Sequence, residues 1–255
     1  MTQSKGFKKR VNAIDRATVA ITQNIEVSVP EIARQVTVRI MNDPAPGSGV
    51  IIQRQGQIYT VLTNKHVVVD SEDRHYQILT CDGEMHQAKW LKFPSFEDID
   101  LALIEFKSSK SYTVVTMGNS EQLTVGDTVY ASGFPNWNWI DRTTPESTLQ
   151  WKQKAFKLTE GKVGMILEER SLKQGYQLGY TNEIEVGMSG GPILDSQGYL
   201  IGLNGRVKYP FGGINDFIFT DGTQPFVELF LQMETLSWGI PVKTYQRLNK
   251  STDRK

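Results

Sequence analysis

The chain reads as an all-β protein, two small antiparallel barrels facing each other across a cleft. Three observations predict this. Short segments alternating apolar and polar residues at the period of a half-buried strand recur from residue 36 to 106 and again from 128 to 220. Their separators carry Gly and Asp, as in Arg54-Gln55-Gly56-Gln57 and Cys81-Asp82-Gly83, which is turn chemistry. Sustained helical periodicity begins only after Thr223. Regularly spaced short strands of this kind close into barrels.

In order along the chain, residues 1–30 are polar with scattered β-branched residues and are expected to form an amino-terminal arm over the domain or a partly disordered lead-in. Lys5, Lys8, Lys9 and Arg10 resemble the basic start of a leader, but Val11-Asn12-Ala13-Ile14-Asp15-Arg16 interrupts the apolar run a leader needs, so none is expected. The compartment stays open between the cytoplasm and export. Pro30 to Arg34 suits a short helical turn. Strands are expected at Val36–Ile40, Gly49–Gln53, Ile58–Thr63, Tyr76–Thr80, Glu84–Phe93 and Leu101–Phe106. The stretch Val115 to Leu123 crosses to a second set at Thr128–Ser132, Leu149–Phe156, Lys162–Leu167, Tyr176–Tyr180, Gly191–Leu194, Tyr199–Asn204 and Phe217–Thr220. Pro225, Phe226, Leu229, Phe230 and Met233 then fall on one helical face, Trp238 to Val242 reads as a closing strand, and Thr244 to Lys250 as a final basic helix.

Composition narrows the function classes. The 255 residues include 39% hydrophobic ones, enough for a packed core. Lys plus Arg and Asp plus Glu balance at 28 each, so net charge predicts no nucleic-acid partner. The single Cys81 excludes an intrachain disulfide, and no apolar run is long enough for a membrane-spanning helix. No Cys/His/Asp set has metal-ligand spacing, and no metal or cofactor is expected. The oligomeric state is left open.

Candidate chemistry centres on Gly187-Met188-Ser189-Gly190-Gly191-Pro192. A serine between glycines lets the backbone turn successive N–H groups toward one point, the geometry of an oxyanion hole. A serine hydroxyl near neutral pH needs a base, and the base needs an orienting group. His66 lies where an apolar strand runs into a polar turn, and Asp100 stands at the entrance of the apolar run Leu101 to Ile104, with Asp98 on the same side of the strand as a competitor. The order His, Asp, Ser differs from the order in subtilisin and in α/β-hydrolases. The other histidines, His75 and His86, are expected to be solvated. Phe134 to Trp139 reads as a loop packing its own aromatic residues or a ligand platform, and Phe211-Gly212-Gly213 as a turn.

Thr63-Asn64-Lys65-His66-Val67-Val68, Asp98-Ile99-Asp100-Leu101-Ala102-Leu103-Ile104 and the Ser189 loop, with Gly47-Ser48-Gly49 before and Leu200-Ile201-Gly202-Leu203-Asn204-Gly205 after them, resemble the trypsin-like serine peptidases, most closely the bacterial branch related to the HtrA proteases. The resemblance spans about residues 33 to 222 and implies a peptidase domain at 31–250: two six-stranded antiparallel barrels of the chymotrypsin type, lobe 1 at about 31–115 and lobe 2 at about 118–222, with a C-terminal helical segment at 223–250. It also implies His66 as base, Asp100 rather than Asp98 as orienter, Ser189 as nucleophile, and the N–H groups of Gly187 and Ser189 as oxyanion hole. The specificity pocket would have Glu183 at its base, favouring basic residues, and Asn204 and Gly205 as its far wall; the alternative is a smaller apolar pocket lined by Ile184. Met188 stands where animal relatives carry an aspartate that pairs with a freed amino terminus, so packing is expected to hold the loop without zymogen cleavage. No PDZ module is expected to follow. The implied activity is endoproteolysis of protein or peptide substrates; the alternative is a silent peptide-binding pseudoprotease of the same fold.

Overall fold

The chain enters its first barrel through a short helix, α1 (Val29–Val36), which opens with Pro30 and ends where Thr37 Oγ1 donates to the Ala33 carbonyl at 2.6 Å. The structure is a computed structural model that describes residues 27–41, 46–69, 75–92, 96–141 and 143–252. Most of the arm expected at 1–30 therefore lies outside the described residues.

Strands β1 (Thr37–Met41), β2 (Gly47–Gln55), β3 (Ile58–Thr63), β4 (His75–Leu79), β5 (Met85–Leu91) and β6 (Ala102–Lys107) close in the order β1-β2-β3-β6-β5-β4. Their alternation explains both the barrel and its partner surface. In the β3–β6 register Val61 faces Ile104 and Leu62 faces Leu103. The first pair points into the barrel, with Val38, Ile40, Ile51 and Phe106. The second pair points outward and is buried against the other lobe, in a cluster that includes Leu172, Tyr176, Leu203, Phe217, Phe219 and Trp238. A strand end buried on both faces is what the continuous apolar run Val61-Leu62 encodes. Truncating one of these leucines removes burial worth about 2–5 kcal/mol with its cavity.

The second barrel joins β7 (Thr128–Gly133), β10 (Lys157–Ile166), β11 (Leu178–Tyr180), β12 (Pro192–Asp195), β13 (Leu200–Arg206) and β14 (Ser237–Pro241) in the order β10-β11-β14-β13-β12-β7. Between β7 and β10 a separate hairpin, β8 (Trp137–Trp139) with β9 (Pro145–Ser147), stands off the barrel. Helix α2 (Val227–Met233) precedes β14, and α3 (Val242–Thr252) ends the described chain. The expected fold class is therefore present: two closed, six-stranded antiparallel barrels with helices at the carboxyl end.

Three local expectations need correction. Leu149–Ala155 is a 3₁₀ segment broken at Lys152 (φ 50°), not a strand: Arg39 holds the carbonyl and hydroxyl of Thr148, so the chain wraps onto the lobe interface instead of pairing. Phe217–Thr220 makes only an isolated bridge from Phe219 to Leu172, because Phe217 and Phe219 fill the cluster between the lobes. The sixth strand of the second barrel is instead β14, inserted between β11 and β13 beyond the expected lobe boundary at 222. In the 134–139 stretch Phe134 is buried whereas Trp137 and Trp139 are exposed.

Candidate active site

His66 sits in a 3₁₀ turn, Lys65–Val67, directly after β3, and Asp100 directly before β6, the strand that pairs with β3. Adjacent strand ends thus carry both groups to one rim. Asp100 is 3% exposed and His66 47% exposed. The carboxylate grips the histidine twice: Oδ1 accepts the His66 backbone N–H at 2.9 Å, and Oδ2 lies 2.7 Å from Nδ1. Asn64 Nδ2 donates to the Asp100 carbonyl at 2.9 Å, fixing the backbone from the other side. Such a pairing assigns the proton to Nδ1 and leaves Nε2 as the acceptor. Asp98 is exposed. The backbone of His75 lies in β4, and His86 packs on Phe106 and Tyr112 with its Nε2 2.9 Å from the Tyr112 hydroxyl.

Ser189 is delivered from the second barrel, in the turn before β12. Gly190 (φ 81°) approaches the first lobe so closely that a Cβ there would lie 2.2 Å from Thr63 Oγ1 and 3.0 Å from Asn64 N. The nucleophile loop therefore abuts the residues that lead into His66. Ser48 N–H reinforces the contact, donating to the Ser189 carbonyl at 2.9 Å. The Ser189 hydroxyl donates to the Gly205 carbonyl at 3.2 Å.

Three successive peptides of this loop are tied from behind. The Val186 carbonyl accepts Asn136 N–H at 2.9 Å, and the Met188 carbonyl accepts Gly191 N–H at 3.0 Å and Asn204 Nδ2 at 3.4 Å. The Gly187 carbonyl between them accepts the Ser48 hydroxyl at 2.7 Å. A planar peptide whose carbonyl is fixed presents its N–H in the opposite direction. The N–H groups of Gly187 and Ser189 are thereby aimed outward, and among the described residues neither donates to a backbone carbonyl. Gly187 (φ 101°) has no room for a Cβ, which would lie 2.5 Å from the Phe134 carbonyl. Met188 is buried in the second barrel's core, so packing holds the loop.

Of the residues expected to shape the specificity pocket, Gly205 lies beside the nucleophile, its carbonyl accepting the Ser189 hydroxyl, whereas Glu183 is exposed. Glu183 is 79% exposed and paired with Lys208 at 3.3 Å, so water screens its charge and it is not a desolvated pocket base. Asn204 is buried behind the Ser189 loop, with Nδ2 2.9 Å from the Ser132 carbonyl and Oδ1 accepting the Tyr180 hydroxyl at 2.8 Å. Gly205 faces Tyr176: a Cβ would lie 2.2 Å from its Cε1. Ile184 is buried with the second barrel's core.

Two participants escaped the sequence reading. Arg39, fully buried in β1, crosses the interface to donate to the Thr148 carbonyl at 2.9 Å and hydroxyl at 3.0 Å, anchoring the segment that also supplies Asn136. Burial pushes its guanidinium down to about 10, which leaves it charged at neutral pH. Tyr176 donates its hydroxyl to Asp100 Oδ2. An arginine inside an alternating strand was a signal that some partner had to be supplied; a tyrosine in a strand carries none.

Among the described residues no cluster has the His/Cys/Asp/Glu make-up of a metal site, and no helix is long and apolar enough to cross a membrane. A double barrel with a carboxylate-held histidine and a serine loop with outward amides defines the class of chymotrypsin-type folds. Residues 47–203 match the trypsin-like peptidase domain, and the chain belongs to that family. It is similar to the serine protease Do-like HtrB of Bacillus subtilis, 26% identical over 72% of this chain and 38% of the relative. It is also similar to a probable periplasmic serine endoprotease, DegP-like, of Buchnera aphidicola (30% identical, 66% of this chain, 31% of the relative). A third relative is the periplasmic pH-dependent serine endoprotease DegQ of Escherichia coli (29%, 66% and 32%). The chain thus spans about a third of the length of these relatives.

Proposed function

We propose that the chain is a serine endopeptidase acting on protein or peptide substrates through an acyl-enzyme. Ser189 attacks the scissile carbonyl after a rotation about its Cα–Cβ bond from the Gly205 carbonyl toward His66. His66 takes the hydroxyl proton on Nε2 and returns it to the leaving amine, and Asp100 holds the tautomer and stabilises the imidazolium. The charge on the carbonyl oxygen falls between the Gly187 and Ser189 amides, each such donor being worth about 2.7–4 kcal/mol of barrier. Water then hydrolyses the ester by the same path.

The observation that supports this reading is the rear anchoring of the three loop peptides, which leaves the Gly187 and Ser189 amides without a backbone acceptor among the described residues and so able to serve as oxyanion donors. Family membership supports it. A second reading, a silent peptide-binding pseudoprotease, draws on the Ser189 hydroxyl bonding to Gly205 rather than to His66.

Labelling with a fluorophosphonate probe, read by intact mass, separates the two. The peptidase reading expects one adduct on Ser189, and Ser189→Ala should lower peptide turnover by roughly 10⁶ while leaving the fold unchanged. An unlabelled wild-type protein, or activity surviving in Ser189→Ala, would sink it.

A further inference from the structure

Asp100 Oδ2 receives a second donor that the reaction above does not require. The hydroxyl of Tyr176, from the other lobe, bonds the same oxygen that faces His66 Nδ1. Several independent features deliver it there. Residues 172–176 form a tight turn in which Leu172 N–H donates to the Tyr176 carbonyl at 3.0 Å. Gln174 (φ 71°) and Gly175 (φ 94°) are both left-handed, a conformation glutamine adopts only against a steric cost. That turn is docked on the first lobe: Asp100 N–H donates to the Gln174 carbonyl at 3.0 Å, and Ile99 bridges to Gln174.

The space for the phenol is also built. A Cβ on Gly205 would lie 2.4 Å from the Tyr176 hydroxyl, so only glycine admits the ring beside the carboxylate. The Arg206 guanidinium covers the ring at 4.4 Å. Tyr176 is 1% exposed. Burial, and then the neighbouring carboxylate, push the phenol well above its ordinary value, so it remains a donor. His66 and Tyr176 bond this carboxylate, Arg206 lies over the tyrosine ring, and Tyr180 is near enough to act on the same phenol.

We infer that Tyr176 is a positioning residue for the catalytic histidine: by donating to Asp100 across the lobe interface it fixes the carboxylate plane and draws off part of the charge that would otherwise reach His66. This rests on the peptidase reading in so far as Asp100 orients His66. The tyrosine's second consequence is to make that orientation depend on correct docking of the lobes.

The test compares wild type with Tyr176→Phe, which keeps the ring and removes only the donor. Losing one hydrogen bond to a charged, buried acceptor predicts a fall in kcat of about tenfold to a hundredfold, with KM unchanged. The acidic limb of kcat/KM should move to higher pH, because a carboxylate relieved of the phenol stabilises the imidazolium more strongly. In a Ser189→Ala background, where no turnover is needed, the low-field proton resonance of the His66–Asp100 bond should be displaced. A tyrosine that merely fills space would leave both the limb and the resonance in place, and that result overturns the inference. Should Tyr176→Phe fail to fold, Gly205→Ala carries the test, since its methyl displaces the phenol and should shift the resonance likewise. If wild-type Ser189 does not label, the peptidase reading fails while the resonance still judges Tyr176.

Discussion

Ser48 of the first lobe holds the Gly187 carbonyl of the second. Its hydroxyl donates there at 2.7 Å and at the same time accepts Phe134 N–H at 2.8 Å. The peptide it fixes lies between the two that carry the outward amides, so a first-lobe side chain sets the geometry of a second-lobe site. Ser48→Ala leaves a buried carbonyl and a buried amide without partners, each costing about 1–3 kcal/mol. We expect a lowered thermal midpoint and slower labelling of Ser189 by the fluorophosphonate probe. Labelling at the wild-type rate would show that the loop is shaped without this bond.

Gly187 cannot accept a side chain without displacing its surroundings. Its φ of 101° disfavours L-residues, and a Cβ would meet the Phe134 carbonyl at 2.5 Å. Gly187→Ala should turn the peptide and withdraw one oxyanion donor, lowering kcat by about 10²–10³. Binding of a peptide boronate, which mimics the tetrahedral intermediate, should weaken with it, and undiminished boronate affinity would place the donor elsewhere.

Arg39 has no carboxylate partner among the described residues; its Nη1 and Nη2 donate to oxygens of Thr148, while its buried Nε has no partner. Arg39→Met removes a desolvated charge but strands those acceptors. The net expectation is a loss of about 1–3 kcal/mol, with release of the 135–148 segment and hence of Asn136 from the Val186 carbonyl. Arg39→Lys should not restore it, because an ammonium cannot present the planar fork that reaches two oxygens. Urea unfolding of the three proteins measures this; a lysine variant as stable as wild type would contradict it.

Glu183, exposed and paired with Lys208, should not select the residue before the scissile bond. In cleavage of a peptide library, Glu183→Gln should give the wild-type preference. Loss of a lysine or arginine preference on that change would return the carboxylate to the pocket.

By itself the sequence determined what local chemistry can express. Period-two alternation marked the strands of the first barrel, because Val61 and Ile104 must face inward for any closed sheet to form. The glycines around Ser189 marked a backbone whose conformations other residues avoid. His66 stands at the end of one legible strand and Asp100 at the start of another, with Asp98 as a rival that the resemblance to the trypsin-like peptidases sets aside. Tertiary structure decided the rest. Phe217 and Phe219 alternate like a strand yet pack between lobes, while Ser237–Pro241 completes the second barrel. The pattern is the same in both, and only closure, with its long-range backbone hydrogen bonds, chooses between them. Arg39, Ser48 and Tyr176 act on residues 109, 139 and 76 positions away. Those contacts exist because two lobes dock, and a period along the chain carries no record of which side chains docking will bring together.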